Sequence, residues 1–82
     1  MSKRFIMAID QGTTGTRVAL FDEQGRMHST AYREIRQIFQ HPGWVEHDPE
    51  EYWDTTMICA AEAMQHGDTK ASEISAIGIT CQ

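Results

Sequence analysis

The sequence predicts an α/β fold: a three-stranded antiparallel meander, then a helix, then a fourth strand lying parallel to the first. Three observations predict it. Phe5-Ile6-Met7-Ala8-Ile9 is apolar at every position, as in a central strand covered on both faces. Asp48-Pro49-Glu50-Glu51 joins an N-cap acceptor, a proline suited to the first helical position and two carboxylates near the positive end of a helix dipole. Ala76-Ile77-Gly78-Ile79-Thr80 returns to strand-type residues beyond that helix, and a helical crossover is what parallel pairing with the first strand requires.

After the first strand, two glycines and three threonines in Asp10-Gln11-Gly12-Thr13-Thr14-Gly15-Thr16 break the apolar pattern and predict a tight loop. Val18-Ala19-Leu20-Phe21 forms the second strand, and Asp22-Glu23-Gln24-Gly25 supplies turn residues. From Arg26 to Ile35, Met27, Ser29, Ala31 and Arg33 oppose His28, Thr30, Tyr32 and Glu34, a weak alternation that fits an edge strand. Gln37 to His47, centred on Pro42-Gly43, has no sustained period and reads as a loop with anchoring aromatics. The helix is expected from Pro49 to His66. Trp53, Met57, Ala60, Ala61 and Met64 recur at spacings of three and four and mark its buried face, and Gly67 is expected to end it in the left-handed conformation. Asp68 to Ser75 reads as a connector with room for one helical turn. An exposed strand edge and the lack of a second covering helix predict that residues 1–82 are an incomplete N-terminal segment.

With 7 Lys+Arg against 12 Asp+Glu, the chain carries a net charge of −5 and lacks the concentrated basic face that nucleic-acid binding requires. Its 82 residues allow one small domain at most, and a chain of this size buries only about 60% of its unfolded surface. Cys59 and Cys81 form no CxxC, and the four histidines are scattered, which fits a reduced intracellular chain. The opening apolar run stops at Asp10, too short for a signal segment or a membrane span. A soluble, cytoplasmic protein is expected.

The chemistry centres on Asp10, placed where a buried strand gives way to a turn of small residues. A carboxylate there needs a cation or hydrogen-bond donors to offset its desolvation. Gly12 and Gly15 let the backbone approach a ligand, and successive amides with the Thr13 and Thr14 hydroxyls can face phosphate oxygens. Arg17, just beyond the loop, can add a charge-assisted hydrogen bond to the same phosphate. Beside phosphates, Asp10 makes sense chiefly with Mg²⁺ between them, so a magnesium nucleotide is the economical ligand. Neither GxxxxGK[ST] nor GxGxxG is present, and on residue types alone an ordinary hairpin with capping hydroxyls is an equal reading.

Ala8-Ile9-Asp10-Gln11-Gly12-Thr13-Thr14-Gly15-Thr16-Arg17 resembles the first phosphate motif of the FGGY carbohydrate kinases, within the actin/hexokinase/Hsp70-like ATPase superfamily. Pro42-Gly43-Trp44-Val45-Glu46-His47-Asp48-Pro49 resembles that family's loop before its first helix, and Ala76 to Thr80 its next strand. The likeness covers nearly the whole chain. It implies a ribonuclease H-like (actin-like ATPase) domain, with Asp10 interacting with Mg²⁺ and Gly12, Thr13, Thr14, Gly15 and Arg17 at the ATP phosphates. Thr13 is also implied to lie close to the phosphoryl group of the product. Gln11 and Val45-Glu46-His47-Asp48 lean toward members that phosphorylate glycerol to sn-glycerol 3-phosphate rather than those acting on xylulose or gluconate. Gly15 stands where serine is common in such members, leaving only its backbone amide, and Cys81 stands where asparagine is common. The resemblance puts the start of the glycerol site directly after Gln82 and the catalytic aspartate in a second domain, so no catalytic residue is expected within these residues and the segment alone is expected to be inactive. The implied full-length enzyme works on ATP and glycerol as a homo-oligomer.

Other features have simpler readings. Trp44 and Trp53 are expected to pack in the core, and Cys59 and Cys81 to be buried thiols. His41, His47 and Asp48 do not converge as a metal cluster, since Asp48 is explained as a helix cap. Glu50 and Glu51 are expected to be a solvated pair complementing the helix dipole. A ribonuclease H-type nuclease would need several carboxylates around two metals, whereas the fourth strand ends in Thr80-Cys81-Gln82. An actin-like ATPase switch would use the same loop, and the Pro42 to Pro49 segment speaks against it by resemblance.

Overall fold

The structure, a computed structural model, describes residues 4–12, 14–34 and 49–81. Strand β1 runs Phe5–Gln11, β2 Gly15–Phe21, β3 Met27–Glu34 and β4 Ile74–Cys81. Helix α1 runs Pro49–His66, and a single 3₁₀ turn, Ala71–Glu73, occupies the connector before β4. The four strands form one sheet in the order β3-β2-β1-β4, with β1/β2 and β2/β3 antiparallel and β1/β4 parallel. The expected meander, edge strand and crossover are all present. Asp48 and the Gln37 to His47 loop, including Trp44 and His41, lie outside the described residues.

Strand β2 starts earlier than its apolar stretch suggests. Gly15, Thr16 and Arg17 pair with Glu34, Arg33 and Tyr32, so they belong to the sheet and not to a loop. Strand β4 is likewise longer than Ala76 to Thr80, because pairing with β1 continues from Phe5↔Ile74 to Gln11↔Cys81.

Strand β1 is central, but among the described residues only one of its faces is covered, contrary to its all-apolar composition. Phe5, Met7 and Ile9 are buried, whereas Ile6 is half exposed and Asp10 exposed. The reason is that α1 packs on β2 and β3, joining Met7, Ile9, Val18, Leu20 and Ala31 to Cys59 and Ala63 in one core.

The buried face of α1 also differs from the large-residue stripe. Trp53 is 65% exposed, Met57 52%, and Ala61 is exposed too, while Thr56, Cys59 and Ala63 are buried. Small residues win this face because the helix sits close enough for side chains to bridge it to the sheet. The Cys59 thiol donates to Ala31 O at 3.1 Å, and Ser29 Oγ donates to Ala63 O at 2.7 Å. One flank of α1 is tied to β3, through the Arg33–Glu62 ion pair and a contact of 3.1 Å between His66 Nδ1 and Thr30 O. At 100° per residue, Trp53, Met57, Ala60 and Met64 fall on the other flank. On that side Ile77 and Ile79 of β4 pair with Met7 and Ile9, share the helix-bearing face of the sheet, and are exposed because α1 does not reach them.

The helix ends by a different residue from the one expected. Asp68 takes the left-handed conformation, φ 49°, while Gly67 does not. The Thr69 amide donates to Met64 O at 2.8 Å and the Asp68 amide to Gln65 O at 3.2 Å, the paired bonds of a Schellman end. Gly67 is needed for closeness instead. A Cβ there would lie 2.7 Å from both the His28 ring and Ser29 Oγ.

Candidate nucleotide-phosphate site

Alternation along the strands sends neighbouring residues to opposite faces, so register decides which side chains meet. Asp10 is the direct partner of Arg17 on one side and of Thr80 on the other, and Arg17 is the partner of Tyr32. Tyr32, Arg17, Asp10 and Thr80 therefore form a row across all four strands, on the face opposite α1. Asp10, Gly12, Thr14, Gly15, Arg17 and Tyr32 line an open cleft of about 350 Å³ at that end of the sheet. Thr80 Oγ1 donates to Asp10 Oδ1 at 3.1 Å, and Arg17 Cζ lies 5.3 Å from the centroid of the Tyr32 ring.

The turn between β1 and β2 is tight. The Gly12 amide donates to Gly15 O at 2.9 Å, so that amide is spent in closing the turn. Thr14 is exposed at its tip. Gly15 is buried in β2, and a Cβ there would press on the Tyr32 hydroxyl and come within 2.6 Å of its Cζ and 2.7 Å of Arg33 O. Gln11 points the other way. Its Nε2 donates to Thr56 Oγ1 at 2.7 Å, and Thr56 Oγ1 donates to Tyr52 O at 2.8 Å, which ties the start of the turn to α1.

Of the residues the sequence singled out, Asp10, Gly12, Thr14, Gly15 and Arg17 come together in this cleft, while Thr13 lies outside the described residues. Tyr32 also lines the cleft and Thr80 hydrogen-bonds Asp10 beside it, and their own sequence neighbourhoods gave no sign of either. The signal was available only through register. The donor set suits Mg²⁺: one exposed carboxylate beside an open cleft matches a cation that keeps several waters and takes one or two carboxylates plus phosphate oxygens. Among the described residues no group of three or more His, Cys, Asp or Glu could hold a metal by itself, so a two-metal carboxylate centre is not formed by them. No described helix is long and apolar enough to cross a membrane.

Cys59 lies on the far side of the sheet. Burial pushes its thiol above its ordinary range; backbone hydrogen bonding is the main opposing influence, the Glu62 charge adds to the rise and the Arg33 charge opposes it. It is a core thiol and plays no part in the cleft.

The N-terminal domain of the FGGY family of carbohydrate kinases matches residues 5–82. The chain belongs to that family. It is 52% identical over 82 residues to a glycerol kinase of Paraburkholderia phymatum, covering all of this chain but 16% of that protein. Among solved structures of FGGY kinases, it superposes with a TM-score of 0.87 on gluconate kinase from Lactobacillus acidophilus, at 28% identity over 99% of this chain and 16% of the other. With Plasmodium falciparum glycerol kinase bound to ADP the TM-score is 0.81, at 29% identity over 99% of this chain and 16% of the other. The family's α/β architecture, with β4 parallel to β1, is thus the fold of this chain.

Proposed function

We propose that residues 1–82 open the first domain of a kinase that phosphorylates glycerol with ATP, and that they supply its phosphate-binding turn. The observation that carries this reading is the exposed Asp10–Arg17 pair of cross-strand partners beside the Gly12 to Gly15 turn, on an open cleft, in a chain half identical to a glycerol kinase. Arg17 is a fixed cation with a planar fork of donors, suited to bind phosphate oxygens in a bidentate way. Thr13, Thr14 and the Gly15 amide add neutral donors, and Thr13 also serves the phosphoryl group of the product. Asp10 would hold Mg²⁺ directly or through its waters, with Thr80 orienting one carboxylate oxygen. When bound, the metal would offset the charge of the β- and γ-phosphates.

In the reaction, the terminal hydroxyl oxygen of glycerol bonds to the γ-phosphorus and the bond to the β,γ-bridging oxygen breaks. The products are sn-glycerol 3-phosphate and ADP. The hydroxyl proton passes to a carboxylate base outside these residues. Positioning and charge neutralisation carry the rate, so the residues here bind and orient without reacting. The exposed apolar flank formed by Trp53, Met57, Ile77 and Ile79 suits burial under further chain of the same domain. ATP supply makes the cytoplasm the natural setting.

The test uses the full-length enzyme with Mg-ATP and glycerol, xylulose or gluconate as acceptor. Turnover is expected with glycerol, and Asp10→Ala is expected to lower it at least a hundredfold. Near-normal turnover of Asp10→Ala would refute the site, and preference for xylulose or gluconate would refute the acceptor.

A further inference from the structure

We propose that Tyr32 is a positioning residue of the nucleotide site: its ring holds the Arg17 guanidinium off the Asp10 carboxylate, leaving the arginine open to phosphate and the carboxylate open to Mg²⁺. The inference rests on the phosphate-site reading above. Arg17 and Asp10 are direct cross-strand partners on one face, an arrangement in which opposite charges pair. Such a pair would tie up both ligand-binding groups at once. Among the described residues, however, Arg17 makes no ion pair with Asp10. Its guanidinium lies 5.3 Å from the centroid of Tyr32, within the range of a cation–π contact. Tyr32 is the partner of Arg17 on its other side, so carboxylate on β1 and ring on β3 compete for one cation. Thr80 engages Asp10 from β4, so the two charges are held by neighbours on opposite sides.

The second observation is the space at Gly15. Tyr32 reaches diagonally over β2, and its hydroxyl and Cζ occupy the volume that a Cβ at residue 15 would need. Any side chain at 15 excludes the ring from this position. Glycine at 15 and tyrosine at 32 therefore work as a matched pair that brings the ring beside Arg17 and the phenol into the cleft.

The experiment is titration calorimetry of ADP against the full-length protein at several Mg²⁺ concentrations, with steady-state kinetics alongside. Tyr32→Leu and Tyr32→Phe are compared, each also in an Arg17→Ala background. Tyr32→Leu is expected to weaken ADP binding about two- to fivefold, the scale of an exposed cation–π contact, and to raise both the Mg²⁺ needed for half-maximal binding and the KM for ATP. Tyr32→Phe keeps the ring face and should retain the wild-type values. In the Arg17→Ala background, Tyr32→Leu should have no further effect. Wild-type affinity and Mg²⁺ dependence in Tyr32→Leu would overturn the proposal, as would an equal loss in both backgrounds. Unchanged ADP affinity in Arg17→Ala alone would instead sink the phosphate-site reading and the proposal with it. Thermal unfolding of each variant is the control, and Tyr32→Thr, which keeps a strand-forming residue on this edge, replaces Tyr32→Leu should the latter not fold.

Discussion

Replacing Gly15 with alanine should destabilise the protein although it adds one methyl group beside an open cleft. The added Cβ would meet the Tyr32 hydroxyl, Tyr32 Cζ at 2.6 Å and Arg33 O at 2.7 Å. The phenol can swing away, since Tyr32 is 46% exposed on an edge strand. The Arg33 carbonyl is backbone, and moving it shifts β3 relative to β2, where Thr16 and Arg33 are register partners. Forced repacking of this kind costs about 1–3 kcal/mol, and the rigid contact puts Gly15→Ala near 2 kcal/mol. That is roughly a 30-fold shift in the folding equilibrium, measurable by urea denaturation of the full-length protein. The double variant Gly15→Ala/Tyr32→Ala should recover only the phenol's share, leaving the carbonyl's. A single variant as stable as wild type would refute the reasoning, as would complete rescue by Tyr32→Ala, which would make Arg33 O irrelevant.

Two further outcomes follow from the core. Thr16 is fully buried and its Oγ1 has no hydrogen-bond partner among the described residues, so Thr16→Val should stabilise by about 1 kcal/mol in denaturant titrations. A loss of stability would mean that the hydroxyl is engaged. Cys59 is buried with its pKa raised by desolvation, so it should resist a thiol-alkylating reagent in the native protein and react on unfolding. Because the folded value lies above the unfolded one, the stability linked to Cys59 is complete below the unfolded thiol's range and is lost as pH rises toward the folded value. Rapid native alkylation at mildly alkaline pH would contradict this.

Much of the fold was legible in local pattern. The Pro49 start and the length of α1 survive unchanged, because residue preferences at a helix start and the helical period act over a few residues. The grouping of Asp10, Gly12, Thr14, Gly15 and Arg17 at one candidate cleft was legible too, since a carboxylate followed by glycine and threonine at a strand end restricts the backbone. The misreadings came from packing that local pattern does not carry. Trp53 and Met57 were expected inside because size and spacing favour it, yet helix-to-sheet distance selected Thr56, Cys59 and Ala63. Gly67 was expected to supply the left-handed turn, yet its missing side chain is used against His28 and Ser29 and Asp68 makes the turn.

By itself, then, the sequence determined the identity and order of strands and helix, and the residue types gathered at the candidate site. Only the tertiary structure decided which of them meet. Pairing register set Tyr32 and Thr80 on either side of Arg17 and Asp10 and turned Gln11 toward α1, because a strand's side chains alternate faces and a shift of one residue reverses every assignment.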